Sequence, residues 1–330
     1  MELSLIFKLD FYPFFSFTEN NYIYFVGNKV EAYNNNRKIY SYRLNSRFIS
    51  ACKLGNSLFI LTDNQVINFS YKNNKVINSI KSSFSSINCY KNNIALSNNT
   101  QTYIFDTNFK NLSVISLNNL IGDFISDADT VSKRVRLISI SNLDTLTIRN
   151  FEGFIPYFGK KDSIYSLIAG FSKRNFYLYF FENKSLRWYN KISVKIILSN
   201  AIINPKDRTI LLYGSSQRTF YINLKDISGE DIWIYNPRVL GIYLLDESFK
   251  DVLIENKKII AVGYSMREGE KVGVIKVLDY TTGEEILHYQ DQEVEDFIRI
   301  LKVKEEMYLI GLSKKFIGVY RLDFKPKTIY

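Results

Sequence analysis

Short apolar runs recur along the whole chain, separated by polar breaks, and no stretch of twelve or more residues holds an uninterrupted 3.6-residue apolar period. The strongest runs are residues 22–26 (YIYFV), 57–61 (SLFIL), 93–96 (NIAL), 135–139 (VRLIS), 176–180 (FYLYF), 209–213 (TILLY), 258–262 (KIIAV) and 307–311 (MYLIG). Most are followed by a tight polar turn, such as Asn98-Asn99, Asn183-Lys184 or Ser313-Lys314, and then by an alternating run such as 66–70 (VINFS) or 316–320 (FIGVY). Turn formers between two β-rich runs specify hairpins, and helix is expected to be nearly absent. A weaker apolar run precedes each strong one and another follows the hairpin. The unit is therefore four strands, with the strong run read as the second.

The unit returns every 33–50 residues or so, which suits four-stranded blades better than the two-strand coils of a solenoid. Eight copies predict an all-β fold: a β-propeller of eight four-stranded antiparallel blades, forming one domain over residues 1–330. The last copy, 296–324, supplies three strands, while residues 3–9 (LSLIFKL) form an orphan strand ahead of the first copy. Pairing that N-terminal strand into the last blade would close the ring and remove an exposed sheet edge. The longest interval, between Tyr213 and Lys258, holds two extra apolar runs at 232–235 and 239–245. Seven blades with one decorated blade is therefore the alternative count.

At the third-to-fourth strand connection, residues 277–287 read VLDYTTGEEIL, residues 224–233 read LKDISGEDIW, and Phe105-Asp106 is a degenerate third copy. An Asp side chain caps such a turn, and Gly283 or Gly229 supplies the left-handed backbone it needs. These turns resemble the repeats of WD-type and pyrroloquinoline-quinone-like propellers, which place Asp and then Thr-Gly-Glu/Lys there. The resemblance implies the fold and hardly touches function. The single His and two Trp cannot repeat the WD-type hydrogen-bond network, and no spacing identifies the calcium site of quinone-binding members.

The 24 Tyr and 25 Phe against 5 Pro reinforce the strand reading, because rings and β-branched side chains fit a pleated surface. A hydrophobic share of 46% with 23% charged residues belongs to a folded core, not a disordered chain. The first residues lack a basic leader, and no window approaches a membrane helix, so a cytoplasmic protein without membrane contact is expected. Cys52 and Cys89, the only two cysteines, sit in separate strand-like runs and read as buried thiols, with neither a disulfide nor a metal site.

Candidate chemistry is sparse. His288 falls in an expected outer strand, where a structural role outweighs nucleophilic catalysis. No phosphate-cradling or dinucleotide glycine motif occurs. Asp123, Asp127 and Asp129, placed in the first strand of the fourth repeat, offer carboxylates for an ion or for a hydrolase or lyase in the central channel, weighed against solvated turns. No enzyme activity and no cofactor is expected.

Charge adds a direction. A formal net charge of +10 favours a polyanion or an acidic protein surface. Propeller geometry would gather Arg47, Lys160, Lys161, Lys184, Arg218, Arg238, Arg267, Lys271, Lys314 and Lys315 on the face carrying the fourth-to-first and second-to-third connections. Lys133, Arg134, Lys173, Arg174, Lys257 and Lys258 would lie on the other. Trp188 and Tyr157 are candidate stacking residues beside basic loops. Basic residues on both faces weaken the case for a single nucleic-acid groove. The leading expectation is a non-enzymatic scaffold that docks a protein partner or multi-subunit complex through its loops. A nucleic-acid-associated propeller comes second, and a channel-carboxylate hydrolase or lyase third.

Overall fold

The computed structural model of the chain describes residues 1–34, 36–81, 83–129, 134–149, 153–173, 175–193, 195–236 and 246–324, the side chains of 128 and 129 apart. Eight four-stranded antiparallel sheets follow one another, and no helix occurs among the described residues. The fold is an eight-bladed β-propeller. The first seven blades span residues 15–43, 48–81, 86–115, 119–149, 155–192, 196–235 and 248–291. The eighth combines 294–323 with Glu2–Leu9, which pairs with Ile317–Asp323 from Glu2↔Asp323 to Leu9↔Ile317. The N-terminal strand thus covers the edge that the third strand of this blade would otherwise expose. The run at 232–235 lies in the fourth strand of the sixth blade, Asp231–Tyr235, which settles the count at eight, while 239–245 lies outside the described residues.

Burial follows strand position. In the second blade, Leu58, Phe59, Ile60 and Leu61 of the second strand are all fully buried, so neither face of that strand is open to solvent. The fourth strand, Lys75–Lys81, instead alternates strictly between exposed and half-buried positions, as an outermost strand with one covered face must. First strands of successive blades lie side by side within each unit described below.

By internal packing the chain divides into two units, Met1–Ser41 with Ile196–Tyr330, and Tyr42–Lys195. In the first, Phe220 and Phe249 stack at 4.3 Å between the sixth and seventh blades, and Phe297 and Leu309 pack with Ile260 and Val262 between the seventh and eighth. In the second, Phe59, Leu61, Ile87 and Leu96 fill the space between the second and third blades, and Phe124, Ile168 and Tyr177 that between the fourth and fifth. Each such ring or branched side chain contributes about 1.5–3 kcal/mol on burial.

Two expectations are corrected here. In the fourth and fifth blades the strongest apolar run is the third strand, not the second: 135–139 lies in Arg134–Ser139 and 176–180 in Asn175–Glu182. The reason is local. The first strand of the fourth blade is only Asn119–Ile121, its second strand carries Asp127 and Asp129, and the first strand of the fifth carries Pro156, Gly159, Lys160 and Lys161. None of these looks like an apolar run. Asp123 consequently falls in the turn between the first two strands of its blade, and Asp127 and Asp129 in the second strand.

The second correction concerns the cysteines. Cys52 and Cys89 form a disulfide, with their Cα atoms 5.6 Å apart. They occupy the first strands of the second and third blades, Phe48–Leu54 and Ser86–Tyr90, which pack against each other. The buried-thiol reading fails because packing of successive blades brings together residues 37 positions apart.

Candidate functional site

The basic residues sort by the connection in which they fall. Arg47 precedes the first strand of the second blade, as expected. Arg218, the Arg267/Lys271 pair and the Lys314/Lys315 pair mark second-to-third turns in the sixth, seventh and eighth blades, also as expected. The strand shift moves the others. Lys160 and Lys161 end the first strand of the fifth blade, beside a first-to-second turn, and Lys184 lies in its third-to-fourth turn. All three therefore sit at the opposite end of their blade from the one predicted. Arg134 and Lys173 move the other way, to second-to-third turns. Arg238, Lys133 and Arg174 lie outside the described residues.

The rings proposed for stacking already have partners. Trp188 lies flat on Phe180, its cross-strand neighbour, at 5.1 Å and 13°. Tyr157 sits at a bulge in its strand and lies flat on Phe171 at 5.0 Å and 10°.

Two carboxylates with raised proton affinity, Asp123 and Asp251, serve the backbone. Burial raises the Asp123 pKa, yet its Oδ2 accepts the Lys161 N–H at 2.8 Å, joining the fourth blade to the fifth. Beside it, Gly122 has φ +59 and lies so close to Gly159 that a Cβ would stand 1.9 Å from the Gly159 carbonyl oxygen. Burial likewise raises Asp251, whose carboxylate accepts the Val252 N–H at 3.0 Å and the Ile300 N–H at 3.1 Å, with the Arg299 guanidinium 3.6 Å away. Asp127 receives both Nε and Nη2 of Arg136, its cross-strand partner, at 3.1 and 2.6 Å.

In the first blade the fully buried Glu31 accepts from Tyr33 at 2.8 Å, Ser41 at 3.1 Å and Lys38 at 3.2 Å, with Lys29 Nζ at 2.9 Å. Burial alone would raise its pKa, but the hydrogen bonds from Lys29, Tyr33 and Lys38 bring it below the ordinary value. His288 occupies the fourth strand of the seventh blade, with Nδ1 3.6 Å from Glu285 Oε1. Burial, followed by the Lys276 charge, lowers its pKa, so the ring is neutral at pH 7.

The Asp-capped turns hold as read. Asp279 Oδ1 accepts the Thr281 and Thr282 N–H groups at 2.7 and 2.9 Å, and Gly283 follows at φ +73. Asp226 accepts from Glu230 N–H at 3.0 Å with Gly229 at φ +99, and Asp106 accepts from Asn108 N–H at 2.8 Å. These turns build blades and leave no chemistry over.

One groove did not emerge from the sequence. It has a volume of about 510 Å³ and lies between the fourth strand of the fourth blade, Thr145–Arg149, and the third and fourth strands of the fifth. Tyr177 and Tyr179 point to one face of their strand, and Tyr189 stands directly across from Tyr179. The planes of Tyr177 and Tyr179 differ by 14°, and those of Tyr179 and Tyr189 by 23°. Lys191, directly across from Tyr177, holds Nζ 5.8 Å from that ring, and Arg149 lines the other wall. Tyr189-x-Lys191 and Tyr177-x-Tyr179 carry the period-2 signal that would have marked it.

Charge is divided unevenly between the two units. Residues 42–195 hold 20 of the 43 Lys and Arg but only 9 of the 33 Asp and Glu, leaving 23 against 24 elsewhere. The net is +11 in that unit and −1 in the other, so the whole basic excess belongs to the unit that contains the groove.

No helix among the described residues is long and apolar enough to cross a membrane. No family model and no curated protein matches the chain significantly, so the WD-type or quinone-type character of the repeats rests on the turns alone. Solved structures do match. The computationally designed Ika8 protein aligns with a TM-score of 0.63 at 10% identity, covering 97% of this chain and 100% of its own. Hsv2 of Kluyveromyces lactis aligns at 0.54 and 8% identity, covering 82% of this chain and 94% of its own. At such identities the likeness carries the fold alone, that of a β-propeller.

Proposed function

We propose that this propeller is a non-enzymatic scaffold that docks an acidic macromolecular partner, and that residues 42–195 are its docking half. The observation that carries this is the charge partition: residues 42–195 carry a net +11 and the rest of the chain −1, and a strongly positive unit steers and retains polyanions. Binding is preferred to catalysis because Asp123, Asp251 and Asp127 are occupied with backbone amides or an arginine, and Asp296, the remaining buried carboxylate with raised proton affinity, faces the charges of Lys250 and Lys271 with no second carboxylate acting on it. Arg47, Lys160 and Lys161 remain contact candidates within this half, while Lys184 already pairs with Asp144 at 2.7 Å. Arg218, Arg267, Lys314 and Lys315 fall in the other, where Lys314 already pairs with Glu270 at 2.8 Å. A disulfide of the Cys52–Cys89 kind persists in oxidising compartments, which argues against the cytoplasmic placement read from the sequence.

Heparin serves as a generic polyanion for the test. Arg47→Glu with Lys173→Glu is expected to weaken heparin binding at least fivefold at low salt, whereas Lys257→Glu with Lys258→Glu changes it less than twofold. Equal losses from the two pairs, or no heparin binding at low salt, would refute the assignment.

A further inference from the structure

We propose that Lys91, Lys161 and Lys184, gathered where turns of the third, fourth and fifth blades meet, hold a phosphate monoester group. This rests on the polyanion reading above and names the anionic group that the docking half grips.

Bonds running from blade to blade build the place. Lys161 lies near the end of the first strand of the fifth blade. Its N–H donates to Asp123 Oδ2 of the fourth blade at 2.8 Å, and its carbonyl oxygen accepts from the Tyr90 hydroxyl of the third at 2.9 Å. The Lys161 backbone is thus fixed by two other blades before any ligand arrives. Lys91 follows Tyr90 in the first-to-second turn of the third blade. Lys184, in the third-to-fourth turn of the fifth, is held by Asp144 of the fourth at 2.7 Å and keeps further ammonium donors for a ligand. A preorganised set of cations of this kind lowers the ordering cost of binding. All residues of these turns, 91–92, 122–123, 140–144, 163–164 and 183–184, are described.

The local charge balance favours an added anion. Burial pushes the proton affinity of the half-buried Lys161 down; the Asp144 charge opposes this, and the Lys91 and Lys184 charges add to it. The carboxylates nearby have other tasks. Asp123 accepts the Lys161 N–H and feels the Lys160 charge, Asp144 holds Lys184, and the Asp162 charge acts on Asp123 and Tyr90. Among the described residues, neither Lys91 nor Lys161 forms an ion pair. An anion set among such ammonium groups stabilises their charged forms.

The number of donors selects the anion. Three ammonium groups match a group with three acceptor oxygens, and a phosphate monoester supplies them with a charge of about −1.5 to −2 at pH 7. A carboxylate brings one charge on two oxygens, as the cluster's own aspartates already do. A phosphodiester likewise brings a single charge. Lysine binds phosphate as a point charge, so no planar arginine fork is needed.

The test uses the full chain and a fluorescein-labelled peptide, Gly-Ser-Gly-phosphoserine-Gly-Ser-Gly, with binding read by anisotropy at low salt. Wild type is expected to bind this peptide and not its serine counterpart. Lys91→Gln and Lys161→Gln should each weaken binding about tenfold, the loss of one charge-assisted contact. Lys72→Gln, an exposed lysine in a turn of the second blade, should leave it unchanged. Both cluster substitutions keep the Lys161 backbone bonds, and unchanged melting temperatures show that the variants are folded. Displacement of the peptide by an equal concentration of inorganic phosphate supports the assignment with a small phosphorylated molecule as the source; peptide preferred over inorganic phosphate supports it with a phosphoprotein. Equal binding of a peptide with glutamate for phosphoserine, or of oligo-uridine with a 5′-hydroxyl, would show general anion attraction and overturn the monoester assignment. If the phosphopeptide fails to bind, or binds regardless of Lys91 and Lys161, while heparin binds and depends on Arg47 and Lys173, the cluster assignment falls and the polyanion reading stands. Failure of both heparin and phosphopeptide to bind sinks both.

Discussion

Replacing both cysteines, Cys52→Ala with Cys89→Ala, is expected to destabilise the protein by about 3–4 kcal/mol. A cross-link closing a loop of this length removes that much conformational freedom from the unfolded chain in the entropic account of disulfides. The bond joins positions 37 residues apart, in the first strands of two adjacent blades, so it ties one sheet to the next where few covalent constraints exist. Denaturant unfolding of wild type with and without a reductant provides the check. Reductant should bring the wild type down to the stability of the double variant and leave the variant itself unmoved. An unfolded, unreduced wild type that titrates two free thiols would show that the bond does not form.

Asp296→Asn should stabilise the protein by about 1–2 kcal/mol at pH 7–8 and lose that advantage near pH 4. Asp296 sits between two bulges in the first strand of the eighth blade, is 6% exposed, and its Oδ1 finds no hydrogen-bond donor among the described residues. Burial lifts its pKa from 3.8 to about 6, with the Lys250 and Lys271 charges offsetting part of the rise and the Tyr12 and Tyr264 rings close enough to feel it. A raised pKa in the folded state means that the charged form costs stability above about pH 6. That cost falls away as the pH drops through 6, and below the unfolded value both states are protonated. The amide removes the cost where it exists and changes little where it does not. Melting curves of both proteins between pH 4 and 8 test this. A variant less stable at every pH would mean that the carboxylate is compensated in the folded state.

Much of this architecture is legible in the residues, and the failures have physical causes. Runs such as SLFIL at 57–61 stand out because a strand covered on both faces must be apolar throughout, whereas in the fourth blade even the strongest run, within Arg134–Ser139, alternates with exposed Arg134 and Arg136. The count of eight and the pairing of residues 3–9 with the end of the chain follow from that periodicity. Strand order slipped in the fourth and fifth blades because first strands need only alternate. Asn119–Ile121 is too short to show a pattern, and Ile155–Asp162 is broken by Pro156 and Gly159. Assigning Lys160, Lys161 and Lys184 to the wrong end of their blade is the direct result.

The disulfide was illegible for another reason. Nothing local to Cys52 or Cys89 records that their strands become neighbours. The groove was missed because its parts come from two blades: Arg149 gains meaning beside Tyr189 and Lys191 only after the fourth and fifth sheets are stacked. The charge partition lay in the sequence throughout and became visible once the boundary at residues 41/42 and 195/196 was known.

The most direct test of the central claim, that residues 42–195 are the docking half, is hydrogen–deuterium exchange of the full chain with and without saturating heparin. The account predicts slowed exchange in peptides from 42–195, including 145–149 and 185–192, and none in peptides from 196–236 or 246–324. Protection spread evenly over the eight blades, or confined to the near-neutral unit, would contradict it.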